Sequence, residues 1–182
     1  MASARSSYHE EAVELLKQQG NAACKAKDWK QAVQHYTEAI EKAVSSGATD
    51  MSIVLFSNRS FARLQMGVVQ LALQDADHCV QRLPGWDRGW WRKAEVLHKC
   101  QAHEETIECL NAAIGSLNSG QCSYCPPPSD KARRQRLKAC KKLLKTATSA
   151  LRAERLLHHV VQALLRFYEA AGVQGKTAVS DE

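Results

Sequence analysis

Apolar residues recur at helical spacing through most of the 182-residue chain. Large apolar side chains stand three or four positions apart, as one buried face of an α-helix requires, and they include Leu16, Trp29, Val33, Tyr36, Ile40, Leu73, Val80, Leu97, Ile107 and Leu110. The segments "KAKD", "QMG" and "CQAH" interrupt the pattern as turns, and Pro84 ends the second repeat. The pattern predicts six helices, at about 9–26, 29–45, 51–66, 69–83, 86–100 and 103–117.

Small residues repeat in step with these helices. Three aligned sets are Gly20, Ser60 and Ala94; Ala32, Ala72 and Thr106; and Ala39, Cys79 and Ala113. The second and third repeats are offset by 34 residues, and the first and second by 40, with the surplus in a loop around 45–50. Small side chains are needed where paired helices press together. A helix–turn–helix period of this length resembles the tetratricopeptide repeat (TPR), so an all-α solenoid of three repeats is predicted.

The C-terminal third follows a different pattern. Residues 118–130, "NSGQCSYCPPPSD", form a breaker-rich linker, and a helical pattern runs from the N-cap candidate Asp130 to about residue 171. It carries a narrow stripe (Leu137, Cys140, Leu144, Ala147 and Leu151) and a wider one (Leu157, Val160, Val161, Leu164, Leu165 and Tyr168). We therefore predict a flexible N-terminus at 1–8, three repeats over 9–117, the linker, a capping or extension helix over 131–171, and a flexible tail at 172–182.

Charge and cysteine content narrow the function classes. Residues 131–145 hold eight Lys or Arg and no acid. Since the whole chain has a net charge of +6, the residues outside this segment carry a net charge of −2. Seven cysteines without a framework favour a reducing compartment, and the N-terminus lacks the apolar core of a signal peptide. No apolar run reaches membrane-spanning length. We expect a cytoplasmic protein, with a nuclear location also possible, and no cofactor.

Polar residues on the first helices of the three repeats suggest the site. Lys17 and Asn21 stand four apart, Asn58 lies on the third helix, and Arg88 and Arg92 again stand four apart. First helices line the concave side of such a stack, and no acid occupies the matching positions. Donors without a resident partner suit an anionic ligand, best of all a carboxylate.

The motifs "LKQQGN", "SNRS" and "RGWWRKA" resemble those of dicarboxylate-clamp TPR domains, found in the Hsp-organising co-chaperones, TPR immunophilins and the TPR phosphatase. The resemblance covers 9–117. It implies a clamp of Lys17, Asn21, Asn58, Arg88 and Arg92 that binds the C-terminal Asp of "EEVD" tails on the seventy- and ninety-kilodalton heat-shock chaperones. Arg88 departs from the Lys usual in the family. Phe61, one turn past Asn58, is a weaker candidate for the apolar floor of the site.

The sequence gives less support to catalytic, metal-binding, nucleic-acid-binding or membrane-binding functions. No nucleophile–base pair, phosphate loop or paired carboxylates appear, so a catalytic site and a small-molecule substrate are disfavoured. Cys122 and Cys125 form a CxxC without a second pair, so no metal site is predicted. Residues 131–145 are read first as the solvated face of a capping helix; the alternatives are nucleic-acid or membrane binding through that segment, or a generic TPR scaffold. The preferred chaperone, the oligomeric state and the partner of the distal helix stay open.

Overall fold

The computed structural model describes residues 2–47, 49–119 and 129–170, and these form seven α-helices. They are α1 (Ala2–Lys25), α2 (Trp29–Ser45), α3 (Thr49–Gln65), α4 (Val69–Arg82), α5 (Asp87–Lys99), α6 (His103–Ser119) and α7 (Asp130–Ala170). The all-α prediction is confirmed, since the described part of the chain contains no strand. Consecutive helices pack as antiparallel neighbours along a single stack, from the α1–α2 hairpin to α7 against α6.

Two predicted boundaries differ from the structure. The segment predicted as flexible over residues 1–8 is helical from Ala2, because it contains no Gly or Pro and α1 can extend through it without a new nucleus. Helix α6 continues to Ser119, two residues into the predicted linker. The Cys122–Cys125 pair and the predicted tail at 172–182 lie outside the described residues.

The nine small repeat positions all lie at helix contacts and are buried. Gly20 shows why size matters there, since a Cβ atom on it would stand 2.5 Å from Cε1 of Tyr36. In the second hairpin, Ser60 donates a buried hydrogen bond of 2.7 Å to the carbonyl oxygen of Ala72. The repeat of small residues is therefore the condition for close packing within each hairpin.

The three hairpin turns share one backbone geometry. Lys27, Gly67 and Gln101, separated by the repeat offsets, all adopt positive φ, at 61°, 79° and 61°. In each turn the next residue donates its N–H to a carbonyl five positions back, as Val68 does to Arg63 at 3.0 Å. This is the Schellman helix ending, in which a left-handed residue satisfies the last carbonyls of the helix. Two of the three turns build it without glycine.

Helix α7 packs over only part of its length. Its narrow stripe, including Leu137, Cys140, Leu144 and Ala147, lies against the third hairpin, as predicted for a cap. Beyond Leu151, every residue whose side chain is described is exposed. None of the described helices is both long and apolar enough to span a bilayer.

Candidate functional site

Helices α3, α5 and α7 surround an open cleft of about 420 Å³. Asn58 lies on its α3 side, and Arg88 and Arg92 lie on its α5 side. The repeat geometry explains the meeting, because α3 and α5 are the first helices of successive hairpins and stand side by side. Three of the six predicted residues therefore share one cleft.

Asn21 does not line this cleft, but it is hydrogen-bonded to Asn58, which does. The Nδ2 group of Asn58 donates to Oδ1 of Asn21 at 3.3 Å, and the hydroxyl of Tyr36 donates to the same oxygen at 2.8 Å. Since the oxygen of Asn21 is engaged, its carboxamide presents its NH₂ group, which is a donor. Asn58 likewise has a second amide hydrogen to offer a ligand.

Lys17 lies one turn before Asn21 on the same face of α1. Its Nζ atom is 2.5 Å from Oε2 of Glu14, and this hydrogen bond holds the pKa of Glu14 below its usual value. The expectation of a donor without a resident partner is thus wrong for Lys17, because an acid stands one turn away on its own helix. The side chains are 29% and 42% exposed, and pairs this accessible contribute at most about 1 kcal/mol. An anionic ligand can compete with Glu14.

Arg92 is the most constrained cation of the cleft. Its guanidinium carbon lies 4.8 Å from the centroid of the Phe61 ring, and its Nη1 group pairs with Glu95. The same expectation therefore fails for Arg92 as well. Its Nε atom, however, is buried and has no hydrogen-bond partner among the described residues. A buried unsatisfied donor costs about 1–3 kcal/mol, and an acceptor from a ligand would remove that cost.

The positive charge of Arg92 also acts on two neighbouring titratable groups, Tyr36 and Glu95. Burial raises the pKa of the Tyr36 hydroxyl, and the positive charge of Arg92 acts on it in the opposite direction. Burial also raises the pKa of the Glu95 carboxyl, while Arg92 opposes that shift. Arg92 of the third hairpin therefore acts on the hydroxyl that orients Asn21 of the first.

Phe61 packs between Arg92 and Trp29, so its ring contacts a cation of the candidate site. One face of its ring lies under Arg92, and its edge contact with Trp29 has centroids 5.8 Å apart at 88°. A cation above an aromatic face is stabilised by the ring quadrupole. The structure thus gives Phe61 a contact that fixes the position of Arg92.

Helix α7 supplies the wall of the cleft that the sequence analysis missed. Gln135, Arg136 and Ala139 line it, and Nη1 of Arg136 donates to both carboxylate oxygens of Asp87, at 3.1 and 3.0 Å. Asp87 is only 8% exposed, so Arg136 neutralises an acid adjacent to Arg88. The sequence held only a general signal, the predicted capping role of α7, because a pair 49 positions apart has no local pattern.

Arg59 is next to Asn58 in sequence but serves the scaffold. Its Nε and Nη2 groups donate to the two oxygens of Asp75 at 3.0 and 2.8 Å, and its Nη1 donates to Thr37 at 3.1 Å. Arg63 also pairs with the buried Asp75, at 2.8 Å. These bonds tie α3 to α2 and α4 and keep Arg59 out of the candidate site.

The described part of the chain contains no grouping of side chains that indicates metal binding or thiol reactivity. The described residues contain no group of three or more His, Cys, Asp or Glu placed to hold a metal ion. Burial raises the pKa of the Cys79 thiol to about 12 and that of Cys140 to about 11, so both are protonated at neutral pH. A protonated thiol is a poor nucleophile.

Comparison with solved structures identifies the fold. The chain aligns with the TPR2B domain of yeast Sti1, solved in a complex with pHsp70, at a TM-score of 0.60 and 21% identity over 76% of this chain and 98% of that domain. The chain folds as a TPR domain. A second match is the first TPR of Spaghetti (RPAP3), bound to the HSP90 peptide SRMEEVD, at a TM-score of 0.53 and 17% identity over 74% of this chain and 94% of that one. At these identities the likeness shows the fold alone.

Sequence relatives agree with the TPR assignment. The TPR domain is 39% identical over 85 residues to a heat shock protein sti1 homolog of Schizosaccharomyces pombe, covering 47% of this chain and 13% of the relative. It is 41% identical over 108 residues to heat shock protein STI1 of Saccharomyces cerevisiae, covering 59% and 15%. The chain thus spans less than a sixth of these relatives. No protein-family model matches it.

Proposed function

We propose that this TPR domain is a non-catalytic adaptor of the co-chaperone type, which binds the acidic C-terminal tail of a cytosolic Hsp70 or Hsp90 chaperone. Its clamp consists of Lys17, Asn21, Asn58, Arg88 and Arg92. The observation that carries the proposal is the convergence of donors from separate hairpins: Asn58 bonds to Asn21 and shares its cleft with both arginines. An adaptor of this kind acts by recognition alone, in the cytoplasm.

The chemistry of a C-terminal Asp matches this donor set. Such a residue carries two carboxylates, one on its side chain and one at the chain end, and charged donors with two amide groups can surround both. Charge-assisted hydrogen bonds contribute roughly 1.5–3 kcal/mol each. Several of them, less the cost of ordering an extended tail, amount to about 8 kcal/mol, which is micromolar affinity.

The relatives support the same ligand class. The Sti1 and RPAP3 domains that share the fold were solved with an Hsp70 ligand and with an HSP90 peptide ending in EEVD, respectively. The sequence relatives are named as heat shock proteins of the Sti1 type. Together with the clamp residues, these matches favour a chaperone tail over other anionic peptides.

Peptide titration tests the proposal. We expect peptides from both chaperone tails to bind at about micromolar Kd, and amidation of the terminal carboxylate to weaken binding at least about tenfold. Asn21→Ala and Arg92→Ala should each cost tenfold or more, whereas the control Lys42→Ala, on the exposed side of α2, should change nothing. Equal binding of the amidated peptide, or unchanged affinity in both clamp variants, would reject the clamp.

A further inference from the structure

The side of α7 that faces away from the repeats carries a stripe of cations. Its members are spaced one, three or four residues apart and are all exposed: Lys131, Arg134, Lys138, Lys141, Lys142 and Lys145. No acid occurs between residues 131 and 153. In the described part of the chain none of these six side chains forms an ion pair, although other arginines of α7 do. The nearest acid before the stripe on α7 is Asp130, the first residue of the helix, whose carbonyl oxygen accepts a 3.3 Å hydrogen bond from Nε of Arg134.

The same side of the helix becomes apolar in its distal half. Eighteen residues make five turns, so Leu156 and Val160 lie on the side that carries Lys138 and Lys142. Phe167 lies ten turns from Lys131 on that side. Leu156, Val160 and Phe167 are 60%, 55% and 67% exposed. Leu157, Val161, Leu164 and Leu165 widen this apolar face and are 43–65% exposed.

This apolar face overlaps only at one flank with the stripe that packs on the repeats, where Val161 and Leu165 lie five turns beyond Leu143 and Ala147. Five turns beyond Leu137, Cys140 and Leu144 lie Arg155, His158 and Gln162, which are polar. Arg155 pairs with Glu104 of α6 at 2.5 Å. The distal half is therefore polar where it continues Leu137, Cys140 and Leu144, and its apolar residues extend from the flank of Val161 and Leu165 round to the side that carries the cationic stripe. Contiguous exposed apolar side chains of this kind mark an interaction surface on a protein.

We propose that this outward side of α7 docks on an anionic lipid membrane. A bilayer with acidic headgroups accepts both halves of the surface, since the cationic stripe meets the phosphates while the apolar face enters the boundary of the acyl region. A nucleic acid would neutralise the cations but leave the apolar face in water. A second copy paired through the apolar face would leave the cations unneutralised. Only the charged lipid surface matches the whole length of the helix.

The docked orientation leaves the clamp cleft accessible. Arg136 and Cys140 line the cleft, and each stands two residues from Lys138 and Lys142, about 200° around the helix. The surface that meets the membrane is therefore roughly opposite to the surface that meets the peptide. Membrane docking does not depend on the proposed function, and either can fail without the other.

Vesicle co-sedimentation of the full chain tests this proposal. We expect binding to vesicles of phosphatidylcholine with phosphatidylserine, and at least about tenfold weaker binding to phosphatidylcholine alone. The double variant Lys138→Glu/Lys142→Glu should lose binding at least about tenfold, and Val160→Asp/Phe167→Asp should lose it even at low salt. The matched control Lys30→Glu/Lys42→Glu changes the same number of exposed charges on α2 and should bind normally. All these positions are exposed, and circular dichroism checks that each variant is folded.

Three outcomes would overturn the proposal. The first is failure of the wild-type chain to sediment with the acidic vesicles. The second is a dimer in sedimentation equilibrium that Val160→Asp/Phe167→Asp dissociates while vesicle binding persists, which would assign the apolar face to a second copy. The third is duplex DNA binding that is lost in Lys138→Glu/Lys142→Glu, with vesicle binding unaffected. Titration of the chaperone peptide in the same variants should be unchanged.

Discussion

The hydroxyl of Tyr36 donates a 2.8 Å hydrogen bond to Oδ1 of Asn21, and this bond joins the buried core of the first hairpin to the candidate site. Tyr36 is 1% exposed and packs beside Gly20, whose missing side chain makes room for the ring. The orientation of the Asn21 amide is thus set from α2, by a residue that is itself buried.

Tyr36→Phe should separate this orienting role from packing. The ring stays, so the free energy of unfolding should fall by only about 1 kcal/mol, as expected for one hydrogen bond. Affinity for an EEVD-type peptide should fall about three- to tenfold, since the Asn21 amide can then turn. Isothermal titration and urea unfolding measure the two quantities. Wild-type affinity in a folded Tyr36→Phe variant would show that Asn21 is oriented without the hydroxyl.

Glu95→Gln should strengthen peptide binding. The substitution removes the carboxylate that competes for Arg92 but keeps the shape and one acceptor oxygen, so we expect about two- to fivefold tighter binding at low salt. Glu108→Gln, an exposed change on α6, is the control. Weaker binding by Glu95→Gln would mean that the carboxylate positions Arg92 more than it competes for it.

The same substitution makes a prediction about pH. Burial raises the pKa of Glu95 in the folded state, so the folded protein binds this proton more tightly than the unfolded chain does. The ionised carboxylate therefore destabilises the fold at neutral pH, and that penalty disappears as pH falls through the raised pKa towards the unfolded value of about 4.3. Glu95→Gln should be more stable than wild type at pH 7, and the difference should shrink with acidification. A pH-independent difference in urea unfolding would contradict this.

Gln101→Gly should stabilise the fold. Gln101 holds a left-handed conformation at φ 61° in the turn where the second hairpin has Gly67. Left-handed backbone costs a residue with a Cβ about 1–2 kcal/mol, partly offset by the greater unfolded-state entropy of glycine. We expect a net gain of about 0.5–1 kcal/mol in urea unfolding, and a loss of similar size for the reciprocal Gly67→Ala. Equal stabilities for all three proteins would show that these turns relax without cost.

Arg136→Ala should weaken peptide binding although no sequence motif marks the residue. The change leaves the carboxylate of Asp87, 8% exposed, without its bidentate partner beside Arg88. An uncompensated negative charge at the cleft should lower the affinity for an acidic tail about threefold or more, and steeply so at low salt. Arg134→Ala removes an exposed cation two positions away, which bonds only to the carbonyl oxygen of Asp130 among the described residues, and should leave affinity unchanged. If the two changes lowered peptide affinity equally, Arg136 would act only through its contribution to the net charge.

Much of this architecture could be predicted before any coordinates. The offsets of 34 and 40 residues between small residues placed the hairpins, and the helix ends at 29–45 agree residue for residue. The sequence did not predict that the three turns share one backbone geometry, because Lys27 and Gln101 adopt a left-handed conformation that is normally marked by glycine. Backbone geometry there is imposed by the Schellman hydrogen bonds, which local residue type does not reveal.

The sequence by itself determined the helical solenoid and the donors that could face its concave side, because burial of small and apolar residues at fixed spacing is a local, periodic constraint. Only the tertiary structure decided which acids accompany those donors. Glu14 and Glu95 pair with Lys17 and Arg92 within a turn of helix, whereas Arg136 reaches Asp87 across the fold. It also decided that the distal apolar residues of α7 stay exposed. Such pairings depend on side-chain direction and helix rotation, and these are fixed by packing between segments far apart in the chain.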